Sequence, residues 1–319
     1  MKERFLWTGI VLVILSGIGN YIYFQSKQLD EPIFMEHYYK QDIMEQQMET
    51  QLTFYYLTNK QNPSTVQYAN INGIEVYPSP FRNASFWEAG KPQIYFEKEF
   101  THHYIVPVTF DIPVDQIPLD EKTGEWSFGK MEIVFSDNQK LNADIGEVEI
   151  VKEEQTPSGL AHITGISNNL GESSDTLEAE NTLTVEEFSI PFAAQIEDEM
   201  AIKLTSGKAV LEGLEDTAAQ FKSSEKRFNK KFDSKWDEFP GVYLQNELFP
   251  FQLEQDEYLE ISMKFVQNRS RYLDFPITIK GTSGNGESFH SRVHVKNWPS
   301  VSQEKINEII AEKKAGDSK

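Results

Sequence analysis

Tyr104-Ile-Val-Pro-Val-Thr-Phe-Asp-Ile112 places tyrosine, valine, valine, phenylalanine and isoleucine at every second position. Strand side chains alternate between two faces, so this spacing predicts a β-strand with one apolar face against a core. Pro107 within it has no N–H to give to a ladder, which predicts an edge position.

The pattern extends on both sides. Upstream, Leu52-Thr-Phe54-Tyr-Tyr56 alternates, and residues 66–76 bracket Asn72-Gly73, a pair suited to the positive φ of a two-residue hairpin turn. Ile94-Tyr-Phe96 predicts another short strand. Downstream, Met131, Ile133 and Phe135, then Val148 and Ile150, predict two more. Short strands between Pro-, Asn- and Gly-marked turns predict a first β-sandwich-like domain over residues 48–155. Residues 156–181, rich in Ser, Asn, Gly and Asp, are expected to be a polar linker.

Strand signals resume at Leu183–Val185, Phe188–Ile190 and Met200–Leu204. They return at Leu259–Phe265, at Ile277–Ile279, and, beyond Asn285-Gly286, at Phe289–Val295. These predict a second β-sandwich-like domain over residues 182–298. Inside it the period changes. Over about 208–239, Leu214, Phe221, Phe228, Phe232 and Trp236 share one helical arc of roughly 100°. That predicts an amphipathic helical insertion, one helix or two, whose opposite face gathers Lys226, Arg227, Lys230 and Lys231. Residues 299–319 predict a short C-terminal helix, with Ser302 ahead of Ile306, Ile309 and Ile310, and then a charged tail.

At the other end, Phe5–Phe24 reads FLWTGIVLVILSGIGNYIYF, with no charge. A helix of that length spans roughly the 30 Å of a bilayer core. Trp7, Tyr21 and Tyr23 lie where amphipathic rings settle at headgroups. Lys2 and Arg4 precede the run, whereas Asp30 and Glu31 soon follow Lys27, so the positive-inside bias puts the N-terminus in the cytoplasm. A cleaved signal would have a shorter apolar centre and an A-x-A-like site. Here apolar residues continue past Ser16-Gly17-Ile18-Gly19 through Phe24, so an uncleaved anchor over residues 1–27 and a juxtamembrane stalk over 28–47 are expected. The fold class is therefore mainly β: one transmembrane helix, two β-sandwich-like domains, a helical insertion and a terminal helix.

Composition limits the function. The chain has 319 residues, 39% hydrophobic and 13% aromatic, enough to build cores. A formal charge of −20 argues against nucleic acid, whose phosphates need clustered Lys and Arg. No cysteine is present, so an exported body would hold together without disulfides, a habit that suits a bacterial envelope.

Ser223-Ser-Glu-Lys226, Ser136-Asp137-Asn138 and Lys122-Thr123-Gly124 match the three short motifs of the penicillin-recognising serine enzymes. Their order along the chain is the reverse of that family's, and two of the three fall in a β-domain, so no catalytic residue is assigned on them. His290 and His294, four apart, would be roughly 13 Å apart on a strand, too far for one zinc with Zn–N bonds of about 2.1 Å. These two, with His102 and His103, are expected to be solvated surface histidines. Asp137–Glu147 lacks the donors and central glycine of a calcium loop. No cofactor is expected, and calcium on an acidic face is the single metal alternative.

Two surfaces remain for partners. Pro78–Trp87 packs Phe81, Phe86 and Trp87 into a proline-framed loop, and loops at a sandwich end commonly bind. The basic face of Lys226, Arg227, Lys230 and Lys231 could dock an acidic partner or the headgroup surface, and another envelope or membrane protein is the expected kind of partner. The chain is expected to be anchored in the cell membrane through Phe5–Phe24, with most of its length outside, and to act by binding. A membrane-anchored hydrolase with a site invisible in sequence spacing is the alternative.

Overall fold

The computed structural model describes residues 2–79, 95–153, 156–207, 212–216, 228, 232 and 234–316. The chain is mainly β, and it opens with a helix, α1 (Lys2–Ser26). Its stretch Leu6–Ser26 has a mean hydropathy of 1.6, is nowhere buried, and is long and apolar enough to cross a membrane.

Among the described residues, nine strands follow: β1 (Ile33–Phe34), β2 (His37–Ile43), β3 (Glu49–Asn59), β4 (Val66–Ile71), β5 (Ile74–Val76), β6 (Lys98–Glu99), β7 (His103–Pro113), β8 (Glu125–Phe135) and β9 (Lys140–Lys152). Beyond them come β10 (Leu160–Ser167), β11 (Glu172–Ala179) and β12 (Leu183–Ser189), a turn of helix α2 (Ala193–Ile196), β13 (Met200–Ser206) and α3 (Ser234–Asp237). The remainder is β14 (Val242–Tyr243), β15 (Phe251–Leu253), β16 (Tyr258–Phe265), β17 (Tyr272–Ser283), β18 (Ser288–Asn297) and α4 (Gln303–Gly316).

Among the described residues, three sheets enclose two cores. A four-stranded sheet, β1-β3-β7-β6, faces part of a larger sheet ordered β15-β12-β17-β2-β9-β8-β4-β5, in which β18 also pairs with β17. Phe54, Tyr56 and Phe110 from the smaller sheet meet Met131, Ile133, Phe135 and Ile150 from the larger one. A five-stranded sheet, β10-β11-β16-β13-β14, faces the rest of the same large sheet. There Ile202, Ile261 and Met263 pack with Val185, Phe275, Ile277 and Val293. Each such buried side chain contributes about 1.5–3 kcal/mol of transfer free energy, which is how the chain holds two sandwiches without a disulfide.

The alternating run forms β7 as its spacing implies, with Val108, Phe110 and Ile112 buried. Pro107 lies opposite Tyr55, whose own N–H and C=O turn the other way, to His37 and Met35. The missing proline donor therefore faces away from β3. On that far side β6 reaches only Tyr104 and Ile105, and Pro78 bridges at Phe110. Asn72 and Gly73 turn β4 into β5 with φ of 50° and 95°. Of Ile94–Phe96, the described residues Tyr95 and Phe96 are irregular, and the short strand comes later, at Lys98–Glu99.

Residues 28–47, expected as a stalk, contain β2, which lies inside the body. It runs parallel to β9 on one side and, over His37–Tyr39, parallel to Tyr272–Asp274 of β17 on the other. Beyond that point β12 takes over the same edge of β17. One sheet thus passes through both cores. Period-two alternation is missing from HYYKQDI because His37, Tyr38 and Tyr39 are all buried, as befits a parallel strand covered on both faces. Gly146 makes the β2–β9 contact close: it holds φ of +89°, and a Cβ there would lie 2.5 Å from the His37 carbonyl oxygen.

Residues 156–181, expected as a linker, form the β10–β11 hairpin at the edge of the five-stranded sheet. Its polar composition follows from exposure, since in β10 only Leu160 is buried. Within 208–239, residues 212–216 and α3 are helical, and Leu214 and Phe228 enter the second core. The C-terminal helix α4 begins where Ser302 accepts the Lys305 N–H, and it buries Ile306 in the first core beside Ile309 and Ile310.

Candidate functional site

The side chains expected to carry binding fall largely outside the described residues. Phe81, Phe86 and Trp87 are among these, as are Lys226, Arg227, Lys230 and Lys231. The serine-enzyme motifs are disposed of by β8. Lys122-Thr123-Gly124 immediately precedes it and Ser136-Asp137-Asn138 immediately follows it. Its 11 residues hold them about 35 Å apart at roughly 3.3 Å per residue, so they cannot converge.

The histidine expectation needs correction. His290 and His294 do lie apart on β18, and exposed His294 pairs with Asp274 at 2.6 Å. His103 is buried, with Nε2 2.9 Å from the Lys27 carbonyl oxygen, because β7 begins where the chain leaves α1. His37, which the sequence does not single out, is wholly buried among Tyr39, Phe54, Tyr55 and Tyr272. Its Nε2 accepts the Tyr55 N–H at 3.0 Å, and Nδ1 lies 3.3 Å from the Ile145 carbonyl oxygen. Burial lowers its pKa to about 3, so the ring is neutral and joins β3 to β9 as a structural tie. Among the described residues, no three His, Asp or Glu side chains are grouped to hold a metal ion.

A cleft of about 370 Å³ opens beside this tie, where the two cores meet. Its walls come from distant parts of the chain. Glu97, Lys98 and Ile105 belong to the β6–β7 edge, Asn168, Asn169 and Gly171 to the β10–β11 turn, and Phe265 to Arg269 to the end of β16 and the loop after it. Tyr272, Asn297 and Trp298 complete it, with Pro299 and Ser300 leading to α4. Ile105 and Tyr272 are part of the first core and Phe265 of the second.

Several of the polar lining side chains are fixed by hydrogen bonds within the fold. Arg269 is buried over the Phe265 ring and gives its guanidinium N–H groups to the Arg271 carbonyl and to the backbone and side-chain oxygens of Asn297. Burial brings its pKa down to about 10, partly opposed by Glu199, so it stays charged at neutral pH. Lys98 donates to the Val301 carbonyl at 2.6 Å. Asn168 closes the β10–β11 turn by accepting the N–H groups of Leu170 and Glu172. Asn268, at φ of +58°, accepts the Ser302 N–H at 2.9 Å. Tyr272 stacks on Tyr55 at 4.1 Å, and burial raises its hydroxyl well above its ordinary range, with Tyr55 and Glu97 adding to the effect. Trp298 remains 51% exposed, with the Lys296 ammonium over its ring.

No family model matches the chain. No curated protein matches it either. Among solved structures it is similar to the fibronectin(III)-like modules of Clostridium thermocellum CbhA, at 10% identity, over 85% of this chain and 93% of that one, with a TM-score of 0.20. It is also similar to a protein of unknown function from Porphyromonas gingivalis W83, at 6% identity, over 84% and 96% of the two chains, with a TM-score of 0.18. Scores this low carry no argument about fold or function, so the site is read from its own residues.

Nothing in the spacing of Asn169, Asn268, Asn297 and Trp298 links them in sequence. Two local signs were nevertheless there: the Asn168-Asn169 pair in a polar tract, and Trp298-Pro299 just past the last alternating strand.

Proposed function

We propose that this chain is a single-pass membrane protein, held by α1 with its N-terminus in the cytoplasm, whose β-body lies outside and acts by binding. Its role would be that of a ligand-binding or sensory component of a bacterial envelope. The observation that carries the binding part is the cleft between the two cores, whose preset polar walls are of a size, roughly 300–1,000 Å³, used for small-molecule recognition. Sites of this kind favour the junction between packed units, because residues from several segments can converge there.

The anchor reading draws on the apolar length of α1 and on its short connection to the body. Asn59 accepts the Leu29 N–H at 2.9 Å and donates to the Leu29 carbonyl at 2.8 Å, while His102 packs against the Tyr23 and Phe24 rings. The body would thus ride close to the headgroups.

The absence of cysteine supplies the test. Ser288→Cys, at the exposed start of β18, should react with a membrane-impermeant maleimide on intact cells, whereas Lys2→Cys should react only after lysis. Labelling of Lys2→Cys outside, or of Ser288→Cys only after lysis, would overturn the topology.

A further inference from the structure

We infer that the cleft between the two cores binds a short neutral glycan, with Trp298 as the stacking surface and the side-chain amides of Asn169, Gln267 and Asn268 reading its hydroxyls. This rests on the binding reading above and names the ligand class for the same site.

Charge comes first. The cations of the cleft are already engaged: Arg269 is buried on Asn297 and the Arg271 carbonyl, and Lys98 holds the Val301 carbonyl. An anionic ligand would have to share or displace the donors that these contacts hold, in a chain of net charge −20. A cationic ligand would find one carboxylate, Glu97, among the lining residues.

Hydrogen-bonding capacity comes next. Each Asn or Gln amide offers both a donor pair and an acceptor, and a sugar hydroxyl is likewise donor and acceptor at once. Among the described residues, the Asn169 side chain and the Nδ2 of Asn268 carry no hydrogen bond, while the Gln267 amide nitrogen is fixed on the Leu170 carbonyl and leaves its oxygen open. Asn268 is preset by its bond from the Ser302 N–H, so the ordering cost of its amide is already met by the fold.

The aromatic wall is the third element. A pyranose ring presents a face of C–H groups, which matches an indole surface as hydroxyls match amides. Trp298 lines the cleft with half its surface exposed and is steadied by Tyr55 at 6.1 Å, itself stacked on Tyr272. A cleft of about 370 Å³ that is open to solvent suits one or two rings rather than a long chain.

The test is calorimetric titration of the full chain, in lipid nanodiscs free of sugar detergents, with cellotriose, chitotriose and maltotriose. At least one should bind saturably. Trp298→Ala and Asn169→Ala should each weaken that binding about tenfold or more, while Tyr258→Ala, an exposed aromatic on β16 outside the cleft, should leave it unchanged. Silence from all three sugars, or binding that survives both cleft variants, would overturn the assignment. So would trigalacturonate binding as tightly as the neutral sugars. Correct cysteine labelling with no glycan binding would sink this inference alone and leave the anchored topology standing.

Discussion

The imidazole of His37 takes the N–H of Tyr55 at 3.0 Å, in the position a neighbouring strand's carbonyl would occupy. Its other nitrogen faces the Ile145 carbonyl of β9, so one side chain closes the gap between the small sheet and the large one. The arrangement requires a neutral ring, because a second proton would remove the acceptor and bury a charge among aromatics.

Acid should therefore unfold the protein through His37. Its folded pKa of about 3 lies below the ordinary 6.5, so above pH 6.5 the native state loses nothing. As pH falls below 6.5 the unfolded chain binds a proton that the native one refuses, and stability declines by up to about 1.4 kcal/mol per pH unit. His103, also lowered by burial, pushes the same way. Urea midpoints of the full chain in detergent should fall between pH 6.5 and 5, before most carboxylates titrate, and His37→Gln should flatten the slope. A flat wild-type profile would refute this.

Gly146→Ala should be costly. The substitution would put a methyl group 2.5 Å from the His37 carbonyl oxygen on a backbone at φ of +89°, so β2 must move off β9. About 3 kcal/mol or more is expected, against about 1 kcal/mol for Gly286→Ala, where φ is +86° but a Cβ meets open space. Equal losses in a denaturation series would show that close approach is not the reason for glycine.

Arg271 links the halves by pairing with Glu36 at 2.8 Å and Glu199 at 3.1 Å. Glu199 is largely buried, and burial raises its pKa despite Arg271 and Arg269 nearby. Arg271→Met should cost about 3 kcal/mol, since it leaves that carboxylate without its closest partner. Glu36→Gln, on a half-exposed partner, should cost under about 1 kcal/mol. The reverse order in urea titrations would contradict the assignment.

Asn59→Ala should loosen the join between α1 and the body. Both hydrogen bonds to the Leu29 backbone disappear, a loss of about 1–2 kcal/mol local to this joint. Trypsin should then cut faster after Lys27, while the urea midpoint of the body changes little. Unaltered cleavage would mean that His103 and Lys314, which reach the carbonyls of residues 26–28, suffice without it.

What the sequence determined by itself was local. Alternation at Tyr104–Ile112 and Leu259–Phe265, the Asn72-Gly73 turn and the apolar run Phe5–Phe24 each depend on the chemistry of neighbouring residues, and each appears in the structure as its pattern implies. The tertiary structure alone decided how these pieces join. Residues 37–43 look like an unpatterned connector because their strand is covered on both faces, and 156–181 look like a linker because most of β10 is exposed and β11 is only partly buried. Parallel pairing of β2 with β9 and β17 brings together residues more than a hundred positions apart, which no period in a short window records. The cleft has the same origin. Asn169, Asn268 and Trp298 become neighbours only after the two cores form on one shared sheet, since their contact is paid for by burial elsewhere in the chain.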